Sequence, residues 1–169
     1  MPDKETMERA EEDLREGKSP KTAAGEFVHE EIEHVREGKH GVRSPQQAIA
    51  IGLSKARRAG IPVPPPEKGK ASASTRTKAE RDYEKGQSHT SKKPSQRASR
   101  AREEVLEREP RSTASHSALS KATRTAAQKR SSQDRHEAAV KAVRTKGKAG
   151  LRKEAQKAAR TRASHRKTA

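Results

Sequence analysis

The chain has no cysteine and no tryptophan, and Phe27 and Tyr83 are its one phenylalanine and one tyrosine. Without cysteine, disulfides and thiolate metal sites are excluded. So few aromatics leave no stacking platform of the kind that single-strand binders use, and no aromatic pair for a four-stranded RNA-binding sheet. Large apolar side chains are scarce too: Leu, Ile, Val and Phe together number 17 of 169 residues. That share lies well below the ~20% under which a highly charged chain tends to stay unfolded. No apolar run approaches the ~18 residues of a membrane helix. The opening Met1-Pro2-Asp3-Lys4-Glu5 suits neither a secretory signal nor a mitochondrial presequence. The expectation is a cytoplasmic, nucleoid-associated protein with no membrane contact.

What the chain has in excess is positive charge, and it is unevenly placed. Lys+Arg number 40 against 23 Asp+Glu, a net +17. Residues 1–66 carry 11 against 12, residues 67–109 carry 12 against 8, and residues 110–169 carry 17 against 3. A near-neutral head on a strongly basic tail is the asymmetry expected of a polyanion binder. Eleven of the 17 large apolar residues precede Glu67, leaving Val105, Leu106, Leu119, Val140, Val143 and Leu151 for the rest. Fixing a backbone costs roughly 1–2 kcal/mol per residue, and burying a large aliphatic returns roughly 1.5–3 kcal/mol. Six such residues cannot order a hundred, so no conventional core is expected in the tail.

Local signals give the head three helices. Met7, Ala10 and Leu14 make a stripe over residues 3–15, stopped at Gly17. Ser19-Pro20 caps and opens a second helix, with Val28, Ile32 and Val35 as its stripe and Gly38 as its end. Gly25 weakens its first turns, which shifts the expected start of solid helix towards Glu26. Ser44, Pro45 and Gln47 form a capping-box signature for a third helix carrying Ile49, Leu53 and Ala56, stopped at Gly60. Val63-Pro64-Pro65-Pro66 then reads as a stiff spacer. Further on, a charged helix is expected over 98–109. Alanine-rich basic stretches at 117–130, 133–145 and 149–163 are helix-competent, separated by Ser131-Ser132 and by Lys146-Gly147-Lys148-Ala149-Gly150. The fold class expected is mostly α: a small helical N-terminal head of two to three helices followed by a largely disordered, helix-prone basic tail. The expected division is 1–60 as a small helical domain, 61–97 as a Pro- and Ser/Lys-rich linker, and 98–169 as a basic low-complexity tail.

Chemical motifs are few. His29-Glu30-Glu31-Ile32-Glu33-His34 is one residue longer than the H-E-x-x-H zinc motif. Its histidines lie five apart, about 140° around a helix, and cannot share a metal from that helix. Glu30, Glu31 and Glu33 read as a solvated face rather than a general acid–base pair. Lys39 after Gly38 lacks a phosphate loop's remaining glycines. Serines and histidines of the tail form no triad pattern. No metal, no cofactor and no catalytic residue is expected, and the protein is expected not to be an enzyme.

Nucleic acid contact is the leading expectation. The candidate residues are Lys141, Arg144, Lys148, Arg152, Lys153, Lys157, Arg160 and Arg162, supported by Lys121, Arg124, Lys129 and Arg130. Contacts of lysine and arginine with phosphate give affinity without sequence specificity. Duplex DNA is favoured, with RNA as the second choice and folding on binding as the mode. A merely solubilising tail and a membrane-surface tail are the other readings; the latter lacks the Trp/Phe/Leu face of an interfacial helix. The second and third helices also have the spacing of a helix-turn-helix. Ser44, Gln46 and Gln47 would then read bases while Lys55, Arg57 and Arg58 grip phosphate. The glutamates of the second helix (Glu26, Glu30, Glu31, Glu33, Glu37) suit DNA poorly and offer instead a face for a protein partner.

The runs Glu26-Phe27-Val28-His29-Glu30, Gly38-Lys39-His40 and Arg43 to Gly60 (RSPQQAIAIGLSKARRAG) resemble a small bacterial domain of unknown function. In that family a glutamate-rich helix leads through a Gly-Lys turn into an R-x-x-Q-A-I-A-I-x-L-S-x-A-R-x-A-G helix. The tail is similar in composition to linker-histone tails. The resemblance implies a bacterial, cytoplasmic protein, of a kind sometimes labelled DNA-binding, and supplies no catalytic residue. Two functions stand on these grounds. One is a non-catalytic, largely sequence-independent DNA-binding accessory protein of nucleoid- or plasmid-associated type. The other is an adaptor whose acidic head binds a protein while its tail anchors to RNA or DNA.

Overall fold

Serine, proline and glycine punctuate this chain, and they set its first elements. The computed structural model describes residues 2–88 and 95–167. Its helices are α1 (Lys4–Arg15), α2 (Pro20–Arg36), α3 (Pro45–Arg58), α4 (Ala73–Gln87), α5 (Gln96–Glu107), α6 (His116–Gln128) and α7 (Ser132–Lys167). A short 3-10 turn lies at Ser112–Ala114. The described residues contain no strand.

Ser19 Oγ accepts from the Thr22 amide and Ser44 Oγ from the Gln47 amide, each at 3.3 Å, with proline at the next position. Each cap satisfies an amide that the first turn leaves without a partner. The capping box at α3 is shifted by one residue. Gln47 Oε1 takes the Arg43 amide at 2.9 Å, not that of Ser44. Gly25 does not delay α2, which is helical from Pro20 onward.

Small residues supply the core that large aliphatics cannot. Ala10, Ala23, Ala24, Phe27, Ala56, Ile61 and Val63 form one buried cluster, and Val35, Val42, Ala48 and Ala114 a second. Alanine and glycine let helix axes come close, so backbone atoms themselves provide the dispersion contacts. At Gly52 of α3 an added Cβ would stand 2.6 Å from Val28 Cα of α2. At Gly86 of α4 it would stand 1.8 Å from the Arg57 carbonyl oxygen.

The expected spacer and linker at 61–97 are correspondingly not free chain. Ile61 and Val63 are buried. Arg57 Nε donates to the Val63 carbonyl at 3.1 Å and its Nη2 to that of Pro64 at 3.3 Å, which straps the proline run to α3. Helix α4 packs on α3, where Ser54 Oγ donates to Asp82 Oδ2 at 2.6 Å. Residues 89–94 of that expected linker lie outside the described residues. The stretch beyond also docks. Gly41 N donates to the Leu106 carbonyl at 2.8 Å, Thr113 Oγ1 to the Val42 carbonyl at 2.6 Å, and Arg36 Nε to the Ala114 carbonyl at 3.0 Å. The chain thus divides into compact units at Met1–Ala122 and Thr123–Ala169, where a head ending at residue 60 was expected.

The largely disordered tail is overturned as well. Helix α7 runs from Ser132 to Lys167, broken at Gly147, where φ is 65° and ψ 168°. This break falls inside the separator expected at 146–150, and α6 follows the stretch expected at 117–130. This unit shows no conventional core, as expected: among its described residues none is buried. Its helices rest instead on alanine, lysine and arginine propensity, and the second arm of α7, 148–167, exceeds the ~12–15 residues at which an isolated helix is marginal.

Candidate functional site

The basic positions chosen from sequence are all exposed. Lys121 lies on α6 in the first unit, Arg124 lies on α6 in the second, and Lys129 and Arg130 follow that helix. Lys141 and Arg144 stand on the first arm of α7, three residues apart. Beyond Gly147, Lys148 and Arg152 are spaced i,i+4, and Lys153, Lys157 and Arg160 continue at four and three residues. Such spacings place side chains on one face, so the second arm carries two cationic rows. Arg162 lies on this arm too. Over Ser132–Lys167 there are 12 Lys+Arg against Asp134, Glu137 and Glu154. Val140 and Val143, 53% and 44% exposed, leave only a thin apolar strip between the cations.

The cations of the head are placed differently. Lys55 Nζ sits 2.7 Å from Glu31 Oε2 and 3.1 Å from Glu30 Oε1. Burial pulls the Lys55 ammonium down, but its contacts with Glu31 and Glu30 outweigh burial and hold it above the ordinary lysine range. Arg57 is spent on the Val63 and Pro64 carbonyls, and burial lowers it somewhat against a small opposing pull from Asp82. Arg58 Nε donates to the Ser54 carbonyl and faces Asp82 at 3.7 Å. Ser44 and Gln47 serve as caps. The groups that a sequence-reading third helix would use are thus largely engaged within the fold.

The glutamates of α2 are also largely matched inside the unit. Glu26 takes Arg9 Nε at 2.8 Å, Glu33 takes Arg36 Nη1 at 2.6 Å, and Glu37 takes Lys39 Nζ at 3.0 Å. Glu30 and Glu31 are buried, not solvated as expected. Glu30 Oε2 accepts the Asp3 amide at 3.1 Å. Glu31 has Lys55 on one oxygen and His40 Nε2 3.2 Å from the other, yet neither oxygen receives a bond of hydrogen-bond geometry. The Lys55 contact is therefore ionic, and its short distance fixes the pairing. Around this pair stand His34, 3.4 Å from Asp3 Oδ2, and His40, whose ring lies at 82° to that of His34 with 6.4 Å between centroids.

This cluster is what sequence reasoning missed. His29 is exposed, and it is His40, beyond the Gly38 turn, that joins His34. The signal was present in Glu31-x-x-His34, an i,i+3 pair that shares a helix face, with His40 six residues further along.

A family model, a family of unknown function (DUF6496), matches residues 14–68. These are 55 of 169 residues, about a third of the chain, covering α2, α3 and the strapped proline run. No curated protein and no solved structure matches the chain. Among the described residues, no helix is long and apolar enough to cross a membrane.

Proposed function

We propose that this is a non-catalytic DNA-binding accessory protein, of nucleoid- or plasmid-associated type, that holds duplex phosphate through its basic C-terminal helices. The observation that supports it is a unit with helices, exposed cations and, among its described residues, none that is buried. Such a unit gains nothing from folding inward, and a polyanion removes the repulsion among its lysines and arginines. Helix already in place fixes those cations at about 100° steps and lowers the ordering cost of binding. Lysine and arginine rows with no aromatic partner favour backbone contact over base reading. The family match adds no activity to this reading.

A salt titration of the full chain against duplex DNA, single-stranded DNA and duplex RNA tests it. The expected result is tightest binding to duplex DNA of any sequence, with log affinity falling steeply and linearly with log salt. Changing Lys148, Arg152, Lys153, Lys157, Arg160 and Arg162 to glutamine keeps helix propensity and should flatten that slope by up to about five, given a slope near 0.9 per phosphate contact. Equal binding by this variant overturns the proposal. A truncation should be cut after Ala122, because Thr113 and Ala114 belong to the first unit.

A further inference from the structure

Glu31, His34 and His40 each offer one ligand atom, all within 4.8 Å of one another, and Asp3, Glu30 and His34 form an overlapping set. The hydrogen bonding of the two rings orients them for coordination. His40 Nδ1 lies 3.1 Å from the Gly41 carbonyl oxygen. A carbonyl only accepts, so Nδ1 carries the proton. In the neutral ring Nε2 then presents a lone pair to Glu31 Oε1, 3.2 Å away. Two acceptors face each other there, and a proton or a metal ion between them reconciles the pair. His34 is arranged in the same way: Nε2 faces Asp3 Oδ2 at 3.4 Å, which leaves Nδ1 as the lone-pair nitrogen, 4.0 Å from Glu30 Oε1.

Three further features fit a divalent cation. Glu31 is 1% exposed in its side chain, and both its oxygens lack a hydrogen bond of good geometry. Lys55 meets Oε2, which leaves Oε1 directed at His40. Counting Asp3, Glu30 and Glu31 against Lys55, with neutral rings, the cluster carries three negative charges and one positive, a net −2. Two ligand atoms 3.2 Å apart, each about 2.1 Å from one metal, subtend roughly 100° at it, within the range of tetrahedral coordination. A ring whose far N–H is held by a carboxylate or a carbonyl is the usual arrangement around such an ion.

We propose that Glu31, His34 and His40 bind a divalent transition-metal ion of the zinc class, with Asp3 and the Gly41 carbonyl orienting the rings. Two imidazoles and one carboxylate match the preference of such ions over magnesium or calcium, which favour oxygen donors throughout. The site ties α2 to the turn after it, within the first unit.

The test is calorimetric titration of the full-length protein with Zn2+ alone, alongside thermal melting with and without the ion. The expected result is one ion per chain and a raised melting temperature. H40A and the double variant H34A/H40A should abolish both effects, D3N should weaken binding about 10–100-fold, and H29A, at an exposed histidine outside the cluster, should change nothing. Far-UV circular dichroism without metal checks that each variant is folded. H40N, which keeps an N–H donor near the Nδ1 position but has no Nε2, gives a second reading if H40A fails to fold. Equal Zn2+ binding by the folded H34A/H40A or H40N protein overturns the proposal. So does wild-type protein that binds no Zn2+, the outcome expected if a second proton on His40 is the positive centre facing Glu31.

Discussion

Lys55 Nζ of α3 stands 2.7 Å from Glu31 Oε2 of α2, at a carboxylate that solvent does not reach. One ammonium neutralises part of two buried glutamates, and in doing so fixes how the two helices register. Lys55→Met should leave those carboxylates without their cation and destabilise the first unit by about 3 kcal/mol, measured by urea unfolding. Because the folded protein holds Lys55 above its ordinary range, its stabilising effect is complete below the ordinary lysine value of about 10.4. It is lost as pH rises through the raised value. The gap in unfolding midpoint between wild type and K55M should therefore be constant from neutral pH to about 10 and narrow above that value. A gap that widens with alkaline pH would contradict the ion pairing.

Two glycines in neighbouring helices should respond oppositely to alanine. Gly25 in α2 has nothing within 4 Å of where a Cβ would go, so Gly25→Ala should stabilise by about 0.5–1 kcal/mol through helix propensity. At Gly52 the same methyl would meet the α2 backbone at Val28. Gly52→Ala should cost about 1–3 kcal/mol from overpacking, net of a smaller propensity gain. Thermal melting of the two single variants checks the sign of each.

Ala114 is fully buried with Val35, Val42 and Ala48, far along the chain from the helices it supports. Ala114→Glu should lower the stability of the first unit by about 3–5 kcal/mol, the cost of an uncompensated buried charge. The same change at exposed Ala138 should be near neutral. Urea unfolding of both variants distinguishes a unit that runs to Ala122 from one that ends at the prolines.

The elements whose signals are local were readable. Ser19-Pro20, Ser44-Pro45, Gly17, Gly38 and Gly60 place the ends of α1, α2 and α3 within a residue or so, because caps and left-handed glycines act over four residues. The extent of the first unit was not readable. Gly86 against Arg57, and Gly41 beside Glu109, are backbone approaches that register in sequence as glycines of no particular meaning. Counting large aliphatics undervalued Ala10, Ala23, Ala24, Ala48, Ala56, Ala79 and Ala114, each buried. Glu30 and Glu31 read as surface because their counter-ion, Lys55, lies about 25 residues away. Among the described residues of the second unit the foreseen lack of a core stands, whereas Ala114 of the expected tail is buried in the first unit; disorder did not follow in either place. Propensity, with a cap at Ser131 whose Oγ accepts from the Asp134 amide, carries α7.

Gly147 turns the tail from one long rod into two splints. At 1.5 Å per residue the 15 residues before it span about 22 Å and the 20 after it about 30 Å. The duplex proposed as its partner completes a turn every ~34 Å, so a straight 36-residue helix laid along it would run off the curving path of its phosphates, whereas either splint would be used up before the strand swung away.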